Sequence, residues 1–469
     1  MLALPVSSVV RATEASPPTR SEDPRLVPLR KAVYATGDLT VNAFLSVLSF
    51  VYVTYFLTQI AGLRTELAGA VQLVGRFVDA FSDPLMGRIS DRCRWKAGRR
   101  RPFFLIGALP FGLFFALLWM DLTGASQLAL FTYYTAVFVL GSLAMTTVSV
   151  PYLALLPEMA TGYDARTSLN TWRNAGAVLG VFVAVGFLPV ANLLGGGPAG
   201  FSAAGAVFGV GFALPWLAIH RVSWERPDFQ GRMPHLGFRD SMRLLLGHAS
   251  FRRLTAMYLC GRVSMDLIGA MLILYFTHYL GRSDDFTWMM LLFLSAVVVS
   301  LPAWLVLARR FEKATVFAIG TIWWAAGQLL FFAVQPDWPR WVVFAFAPVI
   351  ALGYAVVDLM PWSMIGEVVD EDELASGERR EGIYNGFFMF VRKLAGAAGV
   401  AFAMFVLGSL GFGKNETQPA AAIEAIRWIA TVVPAAMLLL SAWYARGYPL
   451  TRAEHQRILA ELSRRDTRA

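Results

Sequence analysis

The sequence predicts an all-α integral membrane protein in which twelve transmembrane helices form two pseudo-symmetric six-helix bundles. Three observations carry this: a very apolar composition, twelve apolar runs of membrane-crossing length, and short motifs that recur in the two halves. Of 469 residues, 57% are hydrophobic and 16% charged, with a mean hydropathy of +0.54, far from the make-up of an ordinary soluble domain. Crossing about 30 Å of hydrocarbon takes roughly 20 helical residues. Such runs occupy 33–60, 67–90, 102–121, 127–156, 168–192, 201–220, 252–280, 285–308, 313–334, 340–366, 382–411 and 421–446. They divide the chain into a lead (1–31), an N-terminal bundle (32–220), a linker (221–251), a C-terminal bundle (252–446) and a tail (447–469).

Basic residues set the expected orientation. The connections after segments 2, 6 and 8 carry Arg88, Arg92, Arg94, Lys96, Arg99, Arg100 and Arg101, then Arg221, Arg226, Arg232, Arg239 and Arg243, then Arg309, Arg310 and Lys313. The opposite connections hold scattered charges such as Arg64, Arg282, Arg340 and Lys414. The positive-inside rule then puts both termini in the cytoplasm of a multi-pass protein of the cell membrane. The net charge of +9 is thereby read as topology, and no nucleic-acid partner is expected. The first 30 residues lack the apolar core of a signal peptide. Two cysteines, Cys93 and Cys260, and five histidines give neither a disulfide framework nor metal-ligand spacing.

The repeat is faint but consistent. "SDPLMGRISDR" at the end of segment 2 has a partner in "SLPAWLVLARR" at the end of segment 8, pairing Pro84 with Pro302 and Arg92 with Arg310 at an offset of 218. "VPYLALLPEM" in segment 4 pairs with "MPWSMIGEVV" in segment 10, Pro151 with Pro361 and Tyr152 with Trp362, at an offset of 210. Parallel copies of six helices imply a carrier whose site lies near midplane between the halves.

Segment 2 also holds two acids, Asp79 and Asp83, where the second half has Val297 and Leu301. Counted from Asp91 at the basic end, they lie roughly 18 and 12 Å into the helix, on one face because they are four residues apart. Each intramembrane acid costs about 2.5–3.5 kcal/mol, and two close carboxylates repel. A proton, a cation or a basic side chain must answer them, and the readings are a fixed ion pair or a coupling-cation site. Lys393, about 11 residues into segment 11 and so near midplane, is the candidate charge partner. Thr146, Thr147 and Ser149 offer hydroxyls that suit Na⁺, or that back-bond to their own helix. Asn42 could hydrogen-bond a substrate hydroxyl or make an ordinary interhelical contact, and Tyr152 and Trp362 are candidate platforms for a ring.

"DAFSDPLMG", "SDRCRWKAGRRRPFFLIG", "VPYLALLPEMATGYDARTSLNTWR", "LMPWSMIGEVVDEDELASGERREGIYNGFF" and "FVRKLAGAAG" occur in an order that resembles the glycoside, pentoside and hexuronide cation symporters of the major facilitator superfamily. These are the melibiose-permease type, with sodium-dependent lysophospholipid carriers as relatives. The resemblance runs from about 33 to 460. It implies the major facilitator fold, a coupling cation (Na⁺ or H⁺) held by Asp79 and Asp83 with help from Thr146, and Lys393 as their partner. If sodium is the ion, Asp79 and Asp83 are its metal ligands. It also implies an inside gate formed by Asp91, Arg92, Arg99, Arg100 and Arg101. The acids that hold sugar in melibiose-type carriers fall on Ala43 and Ser149, so a galactoside held by two carboxylates is not expected. Asn42, Ser149, Tyr152 and Trp362 remain as cavity candidates, while Asp38 is read as structural or gating.

The expected function is cation-coupled symport of a small solute by alternating access, a glycoside or other sugar-like compound first and an amphipath such as a lysophospholipid second. No cofactor is expected beyond the coupling ion. The partners are the bilayer, the solute and the cation, and the carrier acts as a monomer. The acid-rich loop "GEVVDEDELASGERREG" is read either as a solvated surface or as a gate whose acids meet "KAGRRRP". D-x-x-x-D motifs also hold Mg²⁺-diphosphate in membrane prenyltransferases. That reading needs a second intramembrane acid cluster, and it leaves the twelve-segment repeat unexplained.

Overall fold

The computed structural model describes residues 25–95, 98–122, 124–160, 163–225, 238–378, 380–414 and 417–466. Most of the expected lead, Lys96, Arg226 and Arg232, and the end of the tail lie outside the described residues.

Helices account for every expected segment. Span 1 is Pro28–Val47, continued in π-helical register through Leu48–Ile60. Span 2 is Thr65–Arg92, span 3 Pro102–Leu117 and span 4 Gln127–Met159. Span 5 is Ala165–Leu193 and span 6 Gly197–Val222. After a short linker helix, Phe238–Gly247, come span 7 (Ala249–Tyr279), span 8 (Asp285–Arg310), span 9 (Lys313–Phe332), span 10 (Arg340–Ser376) and span 12 (Ala420–Arg446). Span 11, Glu381–Ser409, lies between the last two, and a further helix, Arg452–Asp466, closes the chain. Nine of these spans are long and apolar enough to cross a bilayer outright, and span 1 joins them as a bent pair with a 46° change of direction. Span 3 is short, at 16 residues. Span 2 is long enough, but Asp79, Asp83 and four further charges from Glu66 to Asp91 dilute its apolar character.

Several helices run past the apolar runs. Span 10 continues from the expected 366 to Ser376 and span 4 from 156 to Met159, because hydrophobic length follows the bilayer while helical hydrogen bonding does not stop at its edge. Gly377, at φ 74°, then terminates span 10 as a left-handed C-cap.

The bundles pack through small residues, as expected where no hydrophobic effect drives helices together in lipid. A Cβ on Gly176 or Gly180 of span 5 would stand 2.2 Å from the Ala35 carbonyl or 2.3 Å from the Leu39 carbonyl of span 1. Span 3 meets span 6 in the same way, Gly112 against Gly209. The expected symmetry is visible in side chains too. Tyr152 of span 4 bonds to Asp38 of span 1 at 2.6 Å. Its counterpart Trp362 of span 10 donates to Tyr258 of span 7 at 3.2 Å.

Between the halves, span 2 packs along span 11, the π-helical part of span 1 along span 7, and span 5 touches span 8. At the end away from the arginine-rich connections this seam is tight. Gly69 would place a Cβ 3.1 Å from the Ala401 backbone. The Thr65 hydroxyl donates to the Phe412 carbonyl at 2.6 Å, and Lys414 donates to the Ile60 carbonyl at 2.7 Å. Among the described residues, the hydrogen bonds joining the halves are at this far end or at Lys393 in mid-span.

Candidate functional site: an intramembrane charge cluster

Span 2 brings its two acids to the seam with spans 4 and 11. Gly75, one turn before Asp79, leaves room for the Phe138 ring, which would lie 2.0 Å from a Cβ there, so spans 2 and 4 approach closely. Thr146 of span 4 thereby reaches both carboxylates, 2.9 Å from Asp83 Oδ1 and 3.2 Å from Asp79 Oδ1. Its single hydrogen serves one of them at a time. Lys393 of span 11 closes the other side, with Nζ 2.8 Å from Asp79 Oδ2 and 2.5 Å from Asp83 Oδ2. Asp79 is fully buried, whereas the Asp83 side chain keeps 34% of its exposure. The structure thus brings Asp79, Asp83, Thr146 and Lys393 together, with an ammonium held between two carboxylates. Arg76 lies 3.8 Å from Asp79 Oδ2.

Beside this cluster lies a cavity of about 320 Å³ lined by both halves. Of the four residues expected to line it, Asn42 does, and it donates to the Asp38 carbonyl at 2.8 Å. Tyr152 does not. It is 1% exposed, stacked on Tyr34, and its hydroxyl is taken up by the Tyr34 carbonyl and Asp38. Trp362 packs edge-on against Phe388, and Ser149 is half-buried; neither lines the cavity. Tyr152 and Trp362 are turned into their own bundles, which a helix apolar on all sides does not reveal in sequence. Asp38 is a bundle brace, gripped by Arg173 at 2.6 and 3.0 Å.

The cavity also holds charges that the sequence reading passed over: Arg76, Arg262, Asp266, Asp358 and Arg392. Arg262 of span 7 donates to Asp266 at 2.7 Å and to Asp358 of span 10 at 3.2 Å. The signal was available, since Arg262 and Asp266 are an i,i+4 pair of opposite charge inside an apolar segment. Gly396, one turn after Lys393, leaves room for Asp266, whose Oδ2 would sit 1.9 Å from a Cβ.

At the basic end the expected gate residues divide. Arg100 reaches Asp91 at 2.6 Å and Glu158 at 2.5 Å, and Arg99 also pairs with Glu158. Arg101 donates to the His220 carbonyl at 2.7 Å. The Glu225 carboxylate accepts from the backbone N–H groups of Arg99, Arg100 and Arg101 at 2.8–2.9 Å. Arg92 is exposed and has no carboxylate within 4 Å among the described residues. These partners belong to the N-terminal bundle or, for Glu225, to the start of the linker just after span 6, so the loop ties spans 2, 3, 4 and 6 together. The acids after span 10 are likewise held in their own half, Glu367 by Lys313 at 2.6 Å and Asp370 by His455 at 2.9 Å. Among the described residues, no ion pair joins the two loops. Glu158 and Glu225, which sequence reasoning missed, hold the arginines instead.

Comparison with known proteins agrees with this architecture. Residues 33–452 match the family described as MFS/sugar transport protein. An uncharacterised symporter of Synechocystis sp. is 28% identical, over 93% of this chain and 96% of its own. A putative 2,3-dihydroxypropane-1-sulfonate exporter of Salmonella typhimurium is 28% identical over 93% and 95%. A putative glycoside/cation symporter of Escherichia coli is 28% identical over 92% and 94%. The inward open conformation of the xylose transporter XylE from E. coli superposes with a TM-score of 0.61 over 92% of this chain and 98% of its own; at 13% identity that likeness speaks for the fold. The chain belongs to the MFS/sugar transport family, as a secondary active transporter of the glycoside–pentoside–hexuronide cation symporter type.

Proposed function

We propose that Asp79, Asp83 and Thr146 hold the coupling cation, and that Lys393 stands in that cation's place in the structure described above. The observation that carries this is the ammonium of Lys393 within 2.8 Å of one carboxylate and 2.5 Å of the other, with the Thr146 hydroxyl on their remaining oxygens. The pair cannot stay bare in a low-dielectric seam. A proton or Na⁺ from the water-filled side would replace the lysine, entering past the half-exposed Asp83. Both ions satisfy the electrostatics. Carboxylate and hydroxyl oxygens suit Na⁺, and proximity of two carboxylates favours a proton.

The solute occupies the adjoining cavity, which at about 320 Å³ is at the small end of the usual range for ligand sites. A sugar-like compound is the favoured class, supported by the relative named as a glycoside/cation symporter. Both termini and the arginine-rich loops face the cytoplasm of the cell membrane. The tight far end then faces outward, so the arrangement is inward-facing. Transport proceeds as the two bundles rock about the site, with cation and solute raising each other's affinity by one factor.

The decisive experiment is the thermal stability of the purified chain across Na⁺, Li⁺, K⁺ and a pH series, with Asp83→Asn alongside. A rise with one cation that Asp83→Asn lacks supports the site. A rise that survives in Asp83→Asn removes the acids from it.

A further inference from the structure

Four cationic side chains line the cavity or its edge, and they are not equally matched. Lys393 is answered by two acids, Asp79 and Asp83, and Arg262 by two, Asp266 and Asp358. Each of those trios carries a net charge of −1. Arg76 and Arg392 carry the remaining +2. Arg76 has one carboxylate within 4 Å, the Asp79 oxygen 3.8 Å away that already takes Lys393. Arg392 has none that close among the described residues: its Nη1 meets the Met389 thioether at 3.7 Å, and the acid its charge acts on, Asp358, is already engaged by Arg262. A guanidinium facing an intramembrane cavity without a carboxylate of its own is a costly arrangement unless something negative joins it.

We propose that Arg392, with Arg76 in the lining of the same cavity, forms an anion subsite, and that the solute carried with the cation is an organic monoanion. This rests on the cation-site reading above. The charge count gives it a mechanism. The empty cavity sums to zero. One cation on Asp79 and Asp83 leaves +1, and a carboxylate, sulfonate or phosphate monoester bearing one charge restores zero. Each ligand therefore lowers the electrostatic cost of the other, which is the coupling a symporter needs. Empty and fully loaded forms are both neutral at the site, so neither reorientation moves net charge through the membrane. Beyond Arg392 the cavity is walled by Met265, Met289, Met290 and Phe293, soft apolar surface that takes the rest of the molecule.

The test uses matched probes on the purified full chain: p-nitrophenyl β-glucuronide against p-nitrophenyl β-glucoside for a soluble acid, and lysophosphatidylglycerol against monoacylglycerol for a lipid headgroup. The expected result is greater stabilisation by the anionic member of one pair, which identifies the source. In Arg392→Gln its affinity should fall by about tenfold to a hundredfold, with Arg392→Lys retaining part of it. Retained cation-dependent stabilisation shows that the Gln variant is folded. Equal or better binding of the neutral members, no preference for either anion, or an unchanged Arg392→Gln each overturns the proposal. In proteoliposomes, accumulation of the preferred anion should be the same with and without an imposed 100 mV. A rise toward the roughly fiftyfold that one net charge would give overturns electroneutral carriage. Anion preference without any cation response in the wild type sinks the coupling reading alone, whereas cation-driven accumulation of a neutral glycoside sinks the anion subsite alone.

Discussion

At the scale of single residues, each of the two acids of the proposed cation site has the Lys393 ammonium beside it, and the predictions come from removing one of these charges. Asp79→Asn and Asp83→Asn should abolish cation-driven accumulation, measured as uptake against a concentration gradient; full accumulation in either variant would contradict the assignment. Lys393→Ala leaves a fully buried Asp79 without its partner, a loss of about 3–5 kcal/mol for a buried pair. Its melting temperature should fall, and the rise produced by added Na⁺ or by acid should exceed that of the wild type, because the ion now does alone what the lysine did. Asp79, Asp83 and Lys393 were legible in the sequence since charge stands out in apolar surroundings, whereas Thr146 was one of three candidate hydroxyls and was singled out by the family resemblance. Arg262, Asp266, Asp358 and Arg392 obey the same rule and were visible in principle. What sequence did not show was direction: Tyr152 and Trp362 point into their own bundles, and no periodicity distinguishes the faces of a helix that is apolar all round.

At the scale of helices, the approach of spans is set by missing side chains. Gly180 faces the Leu39 carbonyl at a distance no Cβ allows, whereas Gly211 has open space around it. Gly180→Leu should therefore prevent spans 1 and 5 from seating and reduce the yield of monodisperse protein in size-exclusion chromatography. Gly211→Leu should be tolerated within about 1 kcal/mol, as surface changes usually are. The number and order of spans were legible because hydrophobic length is a direct consequence of bilayer thickness. Their ends were less so, as span 10 shows by running ten residues past its apolar run to Ser376. Span 2, the one that carries the acids, fails a simple hydropathy test for the very reason that it is interesting.

At the scale of the whole molecule, the two halves meet firmly at the far end and at Lys393, and among the described residues the ion pairs of the arginine-rich and acid-rich loops do not cross between the halves. A cysteine at Ser46, which lines the cavity, placed in a background lacking Cys93 and Cys260, should react with a membrane-impermeant thiol reagent from the cytoplasmic side. Reaction from outside only would reverse either the orientation or the conformation. The pseudo-symmetry was legible in two proline pairs, an arginine pair and an aromatic pair, but the asymmetry that matters was only half visible: span 2 against span 11 carries the ion cluster, while its counterpart, span 8 against span 5, carries none among the described residues. The lysine in that cluster has a consequence for the direction of traffic. A carrier whose acids are bare once the ion leaves is stranded on the side of release, and can only swap one passenger for another. On the proposed cation site, Lys393 would give the protein a passenger of its own for the homeward trip, turning exchange into net flow. Lys393→Ala should thus still equilibrate labelled solute against unlabelled solute across a vesicle, while failing to fill an empty one.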